Sequence, residues 1–273
     1  MIKVTFFGVR GSTPCAGPDH LRYGGHTSCI GIELDDRLII LDAGSGISDA
    51  SLLALNNSHK EVFLLFSHVH LDHILGLPFF VPVWKKDMTV HILAGSVEPY
   101  GGIQHFLSGT FTPPLFPIKF TNFPANIQCH DFKAGETLEL FPGLKIDTCA
   151  LNHPNGAVGY RLNYKGKSVC YITDTEHSSG QLDPSILALI QGSDLLIYDS
   201  SYDDDNFRTY KGWGHSTWQE GIRLAKQANV KKLAIFHHDP SNTDDKMETI
   251  EKLATQEWGG AFVAKQGESV VLE

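Results

Sequence analysis

Ser67-His68-Val69-His70-Leu71-Asp72-His73 follows directly on the apolar run Val62-Phe63-Leu64-Leu65-Phe66. A run that is apolar throughout suits a strand covered on both faces, so residues 61–67 are expected to form a buried strand. His68, His70, Asp72 and His73 then sit at its C-terminal end, where a sheet holds side chains firmly and projects them into a crevice. Imidazole nitrogens suit zinc and similar borderline cations, and a carboxylate adds negative charge and a proton acceptor. Four donors this close together exceed what one ion needs from a single loop. The spacing therefore points to two metal ions side by side.

The rest of the chain frames that loop. Apolar or alternating runs at 2–8, 29–34, 37–42, 89–94, 144–152, 159–164, 168–173, 195–199 and 231–237 read as strands, many closed by Gly, Asn or Asp. Helical patterning is clearest over 218–228, with Thr217 as N-cap, and over 244–254. Strands with interspersed helices give an α/β or α+β sandwich, one domain spanning 1–273. Between Tyr100 and Phe132, Phe106, Phe111, Phe116, Phe120 and Phe123 are interleaved with Pro113, Pro114, Pro117 and Pro124. Such proline-broken sequence is not expected to form a regular helix or a central strand. It reads as a surface loop that packs its aromatics on the body; a lid or pocket wall over about 100–132, or an oligomer contact, is the alternative.

Composition limits the function classes. A chain of 273 residues that is 42% hydrophobic and 19% charged fits a soluble globular protein with a sizeable core. Lys and Arg number 22 against 31 Asp and Glu, a net charge of −9, which weighs against gripping long nucleic acid by counterion release. A small anionic substrate stays open, because bound cations invert the local field. Cys15, Cys29, Cys129, Cys149 and Cys170 contain no C-x-x-C pair, so neither a disulfide framework nor a cysteine zinc site is expected. Free thiols fit a reducing compartment. The first residues read as a strand and not as a signal peptide, and no stretch is apolar enough to span a membrane. A cytoplasmic protein without membrane contact is the expectation, and a homodimer is compatible with it.

The pattern His-x-His-x-Asp-His resembles the signature of the metallo-β-lactamase superfamily. The resemblance implies a four-layer αββα sandwich and three further ligands closing later strands, which match His153, Asp174 and His237 here. By the same resemblance His68, His70 and His153 hold one ion, Asp72, His73 and His237 hold the other, and Asp174 bridges them. His237, directly after its apolar run, is preferred over His238. Asp42 matches a carboxylate that orients a ligand imidazole. Zinc is the family's usual metal, and manganese or iron also suit such a donor set.

Within the superfamily, Gly214-His215-Ser216-Thr217 resembles the ribonuclease Z and related phosphodiesterase branch. There the corresponding histidine stabilises the scissile phosphate and protonates the leaving oxygen. Asp199, in Leu195-Leu196-Ile197-Tyr198-Asp199, matches its acidic partner, and Asp72 would orient the nucleophile as well as ligate. The run Phe7-Gly8-Val9-Arg10-Gly11-Ser12-Thr13-Pro14 with Arg22-Tyr23-Gly24-Gly25-His26-Thr27-Ser28-Cys29 is similar to a bacterial cyclic-nucleotide phosphodiesterase-like group, with His26 in place of that group's asparagine. Transfer-RNA 3′-processing members carry a long arm between the ligands matching His153 and Asp174, which here lie only 21 residues apart.

The resulting expectation is a dinuclear phosphodiesterase that attacks a small phosphodiester, such as a 3′,5′-cyclic nucleotide, with a metal-bound hydroxide. Its catalytic residues are Asp72, His215 and Asp199, and it does not act on long nucleic acid. Two competing readings share the scaffold. One is a lactonase or thioesterase, which has no need of the Asp199–His215 pair. The other is a non-catalytic sensor or effector module, against which the full set of seven ligands speaks.

Overall fold

The computed structural model, which describes residues 1–56, 59–178 and 180–273, arranges its strands in two seven-stranded sheets. In chain order the strands are β1 (Ile2–Gly8), β2 (Cys29–Leu34), β3 (Arg37–Leu41), β4 (Glu61–Phe66), β5 (Thr89–Ala94), β6 (Asn126–Asp131), β7 (Thr137–Leu138), β8 (Leu144–Leu151), β9 (Ala157–Tyr164), β10 (Lys167–Ile172), β11 (Leu195–Asp199), β12 (Leu233–Phe236), β13 (Ala261–Val263) and β14 (Ser269–Leu272). The first sheet runs β14-β1-β2-β3-β4-β5-β6 and the second β13-β12-β11-β10-β9-β8-β7. The helices are α1 (Ile47–Asn56), α2 (Leu71–Ile74), α3 (Ile103–Thr110), α4 (Pro184–Ile190), α5 (Trp218–Gln227) and α6 (Asp244–Glu257).

Strand side chains alternate between faces, and that explains the runs of unbroken apolarity. In β4, Phe63 and Leu65 enter a core shared by both sheets, while Val62, Leu64 and Phe66 join Ile47 and Ala50 of α1 and Ile103 and Leu107 of α3. In β11, Leu195 and Ile197 face the shared core, while Leu196 and Tyr198 pack with Ile186 of α4 and Ile222 of α5. Both faces of each strand are buried, so neither face can be polar. Helices over one sheet, two sheets face to face, and helices over the other give the αββα sandwich.

The strands expected at 37–42, 61–67, 168–173 and 231–237 end sooner than their apolar character suggests. Asp42, Asp174 and His237 leave the ladder with φ of 60°, 54° and 60°. Left-handed backbone is uncommon outside glycine and turns the chain sharply.

Two elements correct the reading of 100–132: Ile103–Thr110 is a helix, and Asn126–Asp131 pairs in parallel with β5 as the first sheet's edge strand. Pro113, Pro114, Pro117 and Pro124 lie between these elements and interrupt neither. Phe111, Phe120 and Phe123 are buried in the outer core with α1 and α3. Among the described residues, no helix is long and apolar enough to cross a membrane.

Candidate active site

Parallel pairing places the decisive residues at one end of the sandwich. β3 and β4 run parallel, as do β10, β11 and β12, and β8 points the same way because β9 is antiparallel to both β8 and β10. Strand C-termini therefore deliver Asp42, His68, His153, Asp174, Asp199 and His237 to a common edge. His70 opens α2, which carries Asp72 and His73.

The sequence-predicted donors meet there in two groups. His68, His70 and His153 bring ligand atoms within 4.8 Å of one another, as do Asp72, His73 and His237. Asp174 stands between the groups. Its Oδ1 lies 3.7 Å from His68 Nε2 and 3.6 Å from His153 Nε2, and its Oδ2 lies 3.3 Å from His73 Nε2 and 3.2 Å from His237 Nε2. His238 points elsewhere: its Nε2 bonds the Ala264 carbonyl at 2.9 Å, and burial lowers its pKa to about 3.

Hydrogen bonds on the outer side of each ring assign the protons. His73 Nδ1 donates to Asp42 Oδ2 (2.8 Å), His153 Nδ1 to the Gly214 carbonyl (2.8 Å), His68 Nδ1 to Ser67 Oγ (3.1 Å) and His237 Nδ1 to Ser201 Oγ (3.1 Å). His70 donates from Nε2 to Asn155 Oδ1 at 3.2 Å. Five ring nitrogens are thereby left facing inward. His68 Nε2 and His153 Nε2 lie 3.0 and 3.1 Å from His70 Nδ1, and His73 Nε2 faces His237 Nε2 at 3.3 Å. Ring nitrogens packed this closely need a proton or a metal cation among them.

The carboxylates make the same demand. Asp42, Asp72, Asp174 and Asp199 are all buried, which is costly without compensating charge. Burial would raise the pKa of Asp72 and Asp174, yet neighbouring histidines, His73 for Asp72 and His237 with His73 for Asp174, hold both below the ordinary carboxylate range. Burial lowers His68 and His153, whereas for His73 the charges of Asp72, Asp174 and Asp42 outweigh it and raise the pKa. Anionic oxygens and inward ring nitrogens fit a dinuclear divalent-metal centre.

His215 sits at the rim, its ring 5.3 Å from that of His153 and 5.0 Å from that of His237. Its Nδ1 bonds Asp199 Oδ2 at 2.9 Å, so sequence partners 16 residues apart do meet. Burial would lower its pKa, but Asp199, helped by Asp174 and Asp72, raises it to about 9. His26 bonds Ser45 Oγ through Nδ1 at 2.9 Å.

Several supporting groups were not legible in the sequence. The Ser12 amide donates to Asp72 Oδ2 at 2.7 Å, and Tyr171 OH donates to Asp42 at 2.7 Å. Only the glycine-rich run at 7–14 hinted at the first, by allowing close backbone approach. Gly11 lies against His237 so closely that an added Cβ would overlap the imidazole. Gly11→Ala is therefore expected to displace His237 and lower affinity for the ion on the Asp72 side about 10–100-fold, by analogy with lost ligand support. Metal titration of the purified variant checks this, and unchanged affinity would refute the packing argument.

Comparison with known proteins agrees with this geometry. Residues 37–238 match the family model described as the β-lactamase superfamily domain. Relatives include ribonuclease Z of Methanosarcina acetivorans, 23% identical over 97% of this chain and 96% of that protein. Ribonuclease Z of Sulfurisphaera tokodaii is 29% identical over 83% and 86%. Among solved structures, the metallo-β-lactamase fold protein YhfI from Bacillus subtilis superposes with a TM-score of 0.72 at 20% identity, over 98% of both chains. Human tRNase Z, short form, gives 0.65 at 17% identity over 99% of both.

These relatives correct one expectation. The exclusion of long nucleic acid, drawn from the −9 net charge and the short link from His153 to Asp174, does not stand against ribonucleases Z that align along most of the chain. Net charge sums the whole surface and leaves the field at a cation-bearing cleft undetermined.

Proposed function

This chain belongs to the β-lactamase superfamily, as a metal-binding hydrolase with a dinuclear centre capable of phosphoester cleavage, and from that premise we propose that it hydrolyses phosphodiesters whose leaving group is a ribose oxygen. The observation that carries the reading is the Asp199–His215 pair at 2.9 Å, standing at the rim of both donor groups. An alkoxide leaving phosphorus is a poor leaving group and calls for a positioned proton donor, whereas a thioester expels a thiolate that departs without prior protonation.

In this reading His68, His70 and His153 would hold one ion and Asp72, His73 and His237 the other, with Asp174 standing between the two groups. When bound, the ions supply Lewis acidity toward the phosphoryl group and a water acidic enough to attack at neutral pH. Asp72, steadied by the Ser12 amide, orients the nucleophile. With Nδ1 committed to Asp199, His215 keeps Nε2 for the departing oxygen.

Two substrate forms share this chemistry. The tight Lys165–Gly166 turn between β9 and β10, in place of an arm, favours a compact ester such as a 3′,5′-cyclic nucleotide. The names of the relatives, ribonucleases Z, favour an RNA. Metal-loaded protein should be offered a 3′,5′-cyclic nucleotide, a precursor tRNA with a 3′ trailer, an aryl phosphodiester, a lactone and a thioester. Turnover of phosphodiesters is expected, and the ratio of the first two fixes the physiological form. Turnover confined to the lactone or thioester, or none above background, would sink the proposal.

A further inference from the structure

Beyond the acid itself, an aromatic wall runs outward from His215. The Tyr202 ring stands edge-on to it, with centroids 6.0 Å apart and planes at 77°. Tyr210 stacks on Tyr202 at 4.3 Å and 8°, and Trp213 meets Tyr210 at 5.6 Å and 78°. Tyr202 is buried, whereas Trp213 remains 63% exposed. The indole is left in water at the end of a packed series, one residue before Gly214, the loop's link to the metal-ligand cluster.

The loop that presents Trp213 is fixed in place. Gly212 and Gly214 on either side adopt φ of 90° and 84°, open to glycine but strained for other residues. Both their amides donate to Glu176 Oε2, at 3.1 Å for Gly214. The Gly214 carbonyl accepts the His153 Nδ1 proton, so the indole is placed relative to the donor cluster itself.

We propose that Trp213 is a stacking platform for the nucleobase of the substrate's leaving-group side. This rests on the phosphodiester reading in one respect: His215 defines which side of the phosphorus the leaving group occupies. Whatever is attached to the oxygen that His215 protonates would extend outward past that ring, toward the exposed Trp213 at the end of the aromatic series. The exposed indole, backed by Tyr210 and Tyr202, suits a flat heterocycle, and stacking tolerates base identity. Trp213 therefore sets a preference for nucleotides over sugar phosphates without choosing among bases.

The test is binding to the metal-loaded protein, using adenosine 5′-monophosphate and ribose 5-phosphate as probes, followed by calorimetry and by tryptophan emission. The wild type is expected to bind the nucleotide on the order of 10-fold more tightly than the sugar phosphate, with quenched emission. Trp213→Ala should abolish that difference, and Trp213→Phe should retain most of it. Equal binding of the two probes by wild type, or a base preference surviving in Trp213→Ala, would overturn the proposal. So would conversion of a dimer to a monomer by Trp213→Ala with the preference intact, which would make Trp213 a subunit contact. Base preference lost in Trp213→Ala without any phosphodiester turnover would support the platform while removing the phosphodiester reading.

Discussion

His215→Ala is expected to retain its full metal content and to lose about 10²–10⁴-fold in kcat on an ester that leaves as a ribose alkoxide. The same variant should lose far less on an aryl phosphodiester, because a phenolate departs without prior protonation. The contrast between substrates is the diagnostic part: equal losses on both would mean that His215 positions the phosphate without donating a proton. Asp199→Asn gives the companion result. Asp199 is the main group that lifts His215 to about 9 against the opposing effect of burial. A general acid works only while protonated, so activity should hold at lower pH and fall as pH rises through the His215 pKa. Two cations beside the ring lower that pKa, which places the alkaline limb below about 9 in the loaded enzyme. Removing the Asp199 charge lowers it further, so Asp199→Asn should shift the limb to lower pH. An unmoved limb in its pH–rate profile would assign the titration to another group.

What the sequence disclosed follows from which features are local. The His68–His73 segment is contiguous, and a fully apolar run immediately before it states that the site sits at the end of a strand buried on both faces. His153, Asp174 and His237 became legible through their order and their positions at strand ends, which a resemblance could align. The support around them was hidden because its partners are distant in sequence: Ser12 and Asp72 are 60 residues apart, and Tyr171 and Asp42 are 129 apart. Nothing local marks a tyrosine inside an apolar strand as a donor to a buried carboxylate. The short elements β7, β13 and α3 were missed for a related reason, since two to eight residues leave too few turns or alternations for a period to emerge. Over 100–132 the proline and phenylalanine content masks α3, although the residues forming that helix contain no proline.

Asp42 joins the fold to the chemistry, and its removal should cost both. The side chain is fully buried, with φ of 60°. Oδ1 accepts the Ser67 amide at 2.7 Å, while Oδ2 accepts Ser67 Oγ at 2.8 Å, His73 Nδ1 at 2.8 Å and Tyr171 OH at 2.7 Å. Ser67 Oγ in turn accepts from His68 Nδ1, so this one carboxylate orients a ring from each donor group. Asp42→Ala strands four donors in a dry core, at about 1–3 kcal/mol for each that finds no new partner, and asks alanine to hold a left-handed backbone. A destabilisation of roughly 3 kcal/mol or more is expected in denaturant titration of the apo protein. Asp42→Asn separates that effect from metal binding, because asparagine tolerates positive φ and keeps one acceptor. It should fold with a smaller penalty yet bind metal about 10–100-fold more weakly. The ion held by Asp72, His73 and His237 should be lost first, since His73 bonds Asp42 directly while His68 does so only through Ser67. Stepwise metal titration of wild type and both variants resolves the order. Two equally tight ions in Asp42→Asn would show that packing alone holds the rings, and that the buried carboxylate serves the fold without tuning the site.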